Sequence, residues 1–147
     1  MIDENRLKHS IAVARKMVEI GKEKNLSDKQ LQELFVLGYN HDIGCEYDEL
    51  GDHRDVGGKL LKESNYKYWQ EVLYHGEPDC EYKSLFLTIL NMADMQIDKY
   101  GNDVGYEARL NDIKSRYGED SKVYKKVKSL VDELTKEIGD INLKEDI

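Results

Sequence analysis

Four histidines, His9, His41, His53 and His75, occur in the chain, and His41 is followed directly by Asp42. Imidazoles and carboxylates hold divalent metals when they converge, so the first question is which of them face inward. In a helix each residue advances about 100°. With Leu31 as reference, Leu34 lies at roughly 300°, Phe35 at about 40° and Gly38 at about 340°. His41 then falls at about 280° and Asp42 at about 20°, inside the arc facing the core. With Phe86 as reference, Leu90 lies at about 40° and Leu87 at about 100°, and Asp94 falls between them at about 80°. With Leu7 as reference, His9 falls at about 200°, one turn before Val13 at about 240°, on the margin of the buried face. His53 closes an acid-rich stretch, and His75 follows the stripe Trp69, Val72, Leu73.

A carboxylate on a buried arc costs several kcal/mol unless something pairs with it. A metal ion is the simplest partner that satisfies an imidazole and a carboxylate together, and Gly38 is expected to leave open space beside both. Such ligands suit Fe, Mn, Co, Ni or Zn. The two cysteines, Cys45 and Cys80, cannot build a closed four-thiolate zinc set and read as buried free thiols. The plainer alternative is that each histidine is a hydrogen-bonded core residue. Asp42 and Asp94 would then be helix caps or partners of Arg15, Arg109 or Arg116.

The elements that position these residues read as helices throughout. Residues 4–24 carry Leu7, Ile11, Ala14 and Val18 on one stripe. Ser27-Asp28-Lys29-Gln30 is a capping box opening a second helix, with Gly44 at its stop. Glu46 to Asp52 reads as a loop, and short helices follow over 56–64 and 66–74, broken by Gly76 and Pro78. A fifth helix over 81–99 buries Phe86, Ile89, Leu90, Ala93 and Ile97. Gly101, Gly105 and Gly118 bracket a less regular segment with Tyr106, Leu110 and Ile113. A last helix over 121–138 aligns Val123, Val127, Leu130, Val131, Leu134 and Ile138. No alternating strand pattern occurs. The expected fold is an all-α bundle.

With 147 residues the chain is about one domain's worth. Its 39% hydrophobic content suffices for a core, and no apolar run approaches the ~18 residues of a membrane span. The opening MIDENRLKHS lacks the layout of a signal peptide, so a cytoplasmic protein is expected. Lys and Arg number 22 against 30 Asp and Glu, a net charge of −8. Such a surface repels phosphate backbones and excludes broad nucleic-acid binding. A small phosphorylated ligand remains compatible if a metal supplies local positive charge. Oligomeric state is left open.

In order along the chain, His9 in RLKHS, His41-Asp42 in YNHDIG and Asp94 in NMADMQID resemble the HD superfamily of metal-dependent phosphohydrolases. The resemblance covers roughly residues 5–100 and implies an all-α HD-like bundle. We therefore expect a single domain over 1–147, with C-terminal helices over 105–140 packing on the motif-bearing part. GDHRDVGGKLLKE and LYHGEP resemble two further family segments, which places His53 and His75. Members with both extra histidines hold two metals. The resemblance thus implies one ion on His9, His41, Asp42 and Asp94, with Asp42 bridging to a second on His53 and His75. Cys45 stands where many HDIG sequences have Lys, and the extension of cyclic-di-GMP phosphodiesterases is absent.

What the resemblance implies chemically is hydrolysis of a phosphoester or phosphoanhydride bond in a nucleotide or related small phosphorylated compound, with Asp42 catalytic and water activated by metal. Arg54 and Lys59 are the candidates for neutralising charge on the phosphoryl oxygens, with Arg6 and Arg109 behind them. Asp98, one turn after Asp94, either orients a ligand or water or lies in solvent. Of the ten tyrosines, Tyr39, Tyr47, Tyr74, Tyr100 and Tyr106 flank the motifs, and none is assigned to a base. The alternatives are a non-catalytic HD-fold module that binds metal or nucleotide, and a helical interaction protein with structural histidines.

Overall fold

The computed structural model describes residues 4–42, 59–78 and 80–145, with side chains through 136. Helix α1 spans Glu4–Glu23, with Glu4 in its first turn and Lys22 in its last, charges that complement the helix dipole. Its buried face is His9, Ser10, Val13, Ala14, Met17, Ile20 and Gly21. The expected stripe sat to one side of this. Leu7 is 38% exposed, and Ile11 and Val18 are only half-buried. Two overlapping apolar rows run along α1, and the row through Val13, Met17 and Ile20 is the one that packs. His9 heads that row and is therefore buried rather than marginal.

Helix α2 spans Asp28–Asn40 and opens on Ser27, whose side chain accepts from the Gln30 N–H while the Gln30 side chain accepts from the Ser27 N–H. Both arms of the capping box are thus formed. Leu34, Leu37 and Gly38 are buried, whereas Phe35, expected on the core arc, is 39% exposed. The largest helix–helix contact joins α1 and α2, and Gly38 sets its distance. A Cβ at Gly38 would lie 2.6 Å from the Ala14 Cα and 2.9 Å from the Met17 Sδ. The space beside Gly38 is therefore filled by α1 backbone, not open. Helix α2 ends at Asn40, ahead of Gly44, which lies outside the described residues.

A helical segment over 59–63 precedes α3 at Trp69–Tyr74, shorter than the 66–74 expected. Helix α4 covers Leu85–Asp94 and is capped by the Ser84 side chain, which accepts from the Leu87 N–H. Its apolar register predicts a helix reaching residue 99. The chain instead turns after Asp94, and Ile97 stays buried through a bridge to Asp103. Helix α5, Gly105–Tyr117, is regular where an irregular segment was expected, because Gly105 and Gly118 delimit it rather than interrupt it. Helix α6 runs Lys122–Glu145. From the last stripe, Leu130, Val131 and Leu134 are buried, Val123 is 44% exposed, and the Ile138 side chain lies outside the described set.

The fold is all-α. One cluster of buried apolar side chains links all six helices, from Val13 and Met17 through Leu34, Val72, Ile89 and Leu110 to Leu134. Among the described residues no helix is long and apolar enough to cross a membrane.

Candidate metal centre

Three helices end at one place. His41 is the C-cap of α2, His75 the C-cap of α3, and Asp94 the last residue of α4. His9 meets them from the buried face of α1. The Nε2 of His9 lies 2.9 Å from Asp94 Oδ1 and 3.8 Å from Asp42 Oδ2. The Nε2 of His41 lies 3.3 Å from Asp42 Oδ2 and 3.4 Å from Asp94 Oδ1. His75 Nε2 is 3.8 Å from Asp42 Oδ1, and its ring sits 5.3 Å from that of His41. Helix C-termini carry partial negative charge from their unpaired carbonyls. Two carboxylates placed there deepen a negative potential inside the protein, which favours positive charge at the cluster.

The imidazoles are oriented for this. Each presents Nδ1 to a backbone carbonyl: His9 to Asp98 at 2.9 Å, His41 to Gly38 at 2.6 Å and His75 to Val72 at 2.5 Å. A carbonyl only accepts, so each Nδ1 carries the proton and donates. Each Nε2 then turns either a lone pair or a second proton toward the carboxylates. The His41 Nε2 is buried and makes no well-aligned hydrogen bond to the carboxylates beside it, which leaves it able to act as a metal donor. Fixing the far ring nitrogen on a carbonyl is how proteins orient metal-binding histidines.

Donor atoms about 2.0–2.2 Å from one ion lie no more than about 4.4 Å apart. The separations between the Nε2 atoms of His9 and His41 and the carboxylates of Asp42 and Asp94, 2.9–3.8 Å, fall inside that bound, and the donors group as His9, His41 and Asp42, and as His41, His75 and Asp94. The residues fit a divalent ion. Charge behaves accordingly. Burial alone would lower the His41 imidazole, yet Asp42 and Asp94 raise it well above the usual range. Burial would raise both acids, but the neighbouring imidazoles hold Asp42 and Asp94 below the usual carboxylate range. Burial, with the His41 charge added, holds His75 down to about 4, so it stays neutral at pH 7.

Two buried polar residues not singled out in the sequence brace the cluster. The Asn91 side chain, 5% exposed, accepts from the Gly76 N–H at 2.8 Å and so ties the His75 end of α3 to α4, one turn before Asp94. Glu71, 2% exposed, accepts from Tyr82 Oη at 2.6 Å and Ser84 Oγ at 2.8 Å, joining α3 to the cap of α4. The angular test that flagged Asp94 puts Asn91 at about 140° from Phe86 and Glu71 at about 200° from Trp69, off both apolar stripes, so residue spacing carries no signal for either. Asn91→Ala strands the Gly76 N–H, and we expect a loss of about 1–2 kcal/mol. Thermal unfolding followed by circular dichroism should then show a midpoint lower by roughly 3–8 °C.

Of the other sequence candidates, His53, Arg54 and Cys45 lie outside the described residues, and Lys59 is exposed at the start of the 59–63 segment. Asp98 does not lie free in solvent. Its Oδ1 accepts from the N–H groups of Tyr100 and Asn102, both at 2.9 Å, and its carbonyl holds His9. Asp42 and Asp94 meet histidines rather than the suggested arginines, and Arg116 pairs with Asp112. Cys80 is a free thiol, half-buried rather than buried.

The model of the HD domain family matches residues 6–137. The chain belongs to the HD domain family. The match takes in both carboxylates, the three helix ends that supply donors and His9 on α1, and the all-α architecture agrees with it. No curated protein and no solved structure matches the chain. HD domains bind divalent metals and make up a superfamily of metal-dependent phosphohydrolases; among the described residues of this HD domain, the His/Asp cluster could hold such an ion.

Proposed function

We propose that this HD domain, a single unit over 1–147, is a metal-dependent phosphohydrolase. Its substrate is a nucleotide or related small phosphorylated compound, cleaved at a phosphoester or phosphoanhydride bond. The reading is carried by the cage itself, in which each of two imidazoles lies 2.9–3.8 Å from each of two carboxylates, Asp94 buried and Asp42 half-buried. A divalent ion, Fe, Mn, Co, Ni or Zn, supplies Lewis acidity and lowers the pKa of water toward ~7.

His9 and His41 serve as neutral donors whose other nitrogen is committed to backbone, and Asp94 and Asp42 balance the charge. Asp42 also faces His75 at 3.8 Å, which suits a bridging role toward a second ion shared by His53 and His75. Arg54 and Lys59 are assigned to the phosphoryl oxygens, where fixed positive charge lowers the barrier most. With cysteine at position 45, the proton for the leaving group comes from another donor.

Purified protein supplied with Mn2+ should turn over a chromogenic phosphodiester or a panel of nucleotides, and chelation should abolish the rate. Stoichiometric metal without turnover of any phosphorylated compound would instead return the non-catalytic metal- or nucleotide-binding module. Absence of metal binding would overturn both.

A further inference from the structure

The segment after α4 folds into a tight turn against α1. The Asp98 N–H donates to the Asn102 carbonyl at 2.9 Å, and the Val104 N–H donates to the Gln96 carbonyl at 2.9 Å. Asp98 Oδ1 accepts from two backbone N–H groups, at Tyr100 and Asn102. The Asp98 carbonyl accepts both from the Gly101 N–H, at 3.1 Å, and from His9 Nδ1, at 2.9 Å. The turn is seated on α1 on either side of His9 in sequence. A Cβ at Gly101, where φ is +86°, would lie 2.8 Å from the Lys8 carbonyl oxygen. Further along, Lys16 Nζ donates to Asp103 Oδ2 at 2.8 Å. Asp98 belongs to neither group of clustered donors, and its Oδ1 is spent on the turn.

We propose that Asp98 is a positioning residue: its carboxylate builds the 96–104 turn, and the turn presents the Asp98 carbonyl that aims His9 Nε2 into the cage. The role rests on the metal reading above but adds a residue outside the donor set. It also differs from direct ligation, because only the acceptor oxygen matters and not the negative charge. Asparagine keeps that oxygen, and alanine does not.

Isothermal titration of the chain with Mn2+ separates these roles. Supporting orienters of metal-bound histidines typically contribute about 10–100-fold in affinity. Asp98→Ala should weaken Mn2+ binding by about that factor while remaining folded with a somewhat lower metal-free melting temperature, because two N–H groups of the turn lose their acceptor, and Asp98→Asn should bind and melt nearly as wild type. Loss of binding in Asp98→Asn equal to that in Asp98→Ala would overturn the proposal and make the carboxylate a direct participant. Unchanged affinity in Asp98→Ala would overturn it as well.

Nitrogen-15 imidazole spectra of the metal-free wild-type chain, assigned with His9→Gln, give a test independent of any fold defect in the variants. His9 should show a protonated, slowly exchanging Nδ1, and a His9 protonated only at Nε2 would overturn the proposal. Wild-type protein that binds no Mn2+ sinks the metal reading and the proposal with it, whereas wild-type binding with an unaffected Asp98→Ala sinks the positioning role alone.

Discussion

Asp42→Ala is expected to lose bound metal and hydrolytic activity together. Among the described residues, Asp42 is the carboxylate that lies within 3.8 Å of three imidazoles, those of His9, His41 and His75. Its removal takes away a donor and a negative charge at once. The loss should exceed the ~10–100-fold typical of residues that only orient a ligand. The fold should survive, because Asp42 lies beyond the end of α2 and takes no part in the apolar core. Metal content by mass spectrometry, Mn2+ titration and far-ultraviolet circular dichroism check the three parts. Stoichiometric metal in Asp42→Ala would show that the cage has been placed wrongly.

Gly38→Ala is expected to destabilise the chain by about 2–3 kcal/mol and to weaken metal binding with it. The added methyl meets backbone atoms of Ala14 at 2.6 and 2.9 Å and the Met17 sulfur at 2.9 Å. The sulfur can swing aside, but the α1 backbone cannot, so α1 and α2 must separate. Gly38 also supplies the carbonyl that fixes the His41 ring. Separation therefore moves His9 on one helix away from His41 on the other. Thermal unfolding should drop by roughly 10 °C, and Mn2+ titration should weaken in parallel. Gln32→Ala, on the exposed face of α2, should change neither.

Much of this was legible in residue spacing. The capping box at Ser27 and Gln30, the buried face of α4 and the inward Asp94 follow from side-chain type and a 3.6-residue period. Such a period cannot choose between two overlapping apolar rows, which is why Leu7 was favoured over Val13 and Met17 as the packed face of α1. Nor does it register a chain leaving the helix while its apolar residues stay in phase, as Ile97 does after Asp94. Gly38 looked like a vacancy because a sequence reports the missing side chain and not the backbone that moves into its place. The carbonyls of Gly38, Val72 and Asp98 belong to the main chain and carry no residue-type signal, although two of them lie three positions before a histidine that ends a helix.

The meeting of helix ends at the histidine cluster has a consequence for the order of events. A phosphorylated molecule approaching a cage without its ion meets the oxygen-rich tips of α2 and α4 and two ionised acids, and is turned away. Once a divalent ion has entered, the same pocket attracts what it formerly repelled. On the proposed function, arrival would thereby be sequential, cation first and anion second.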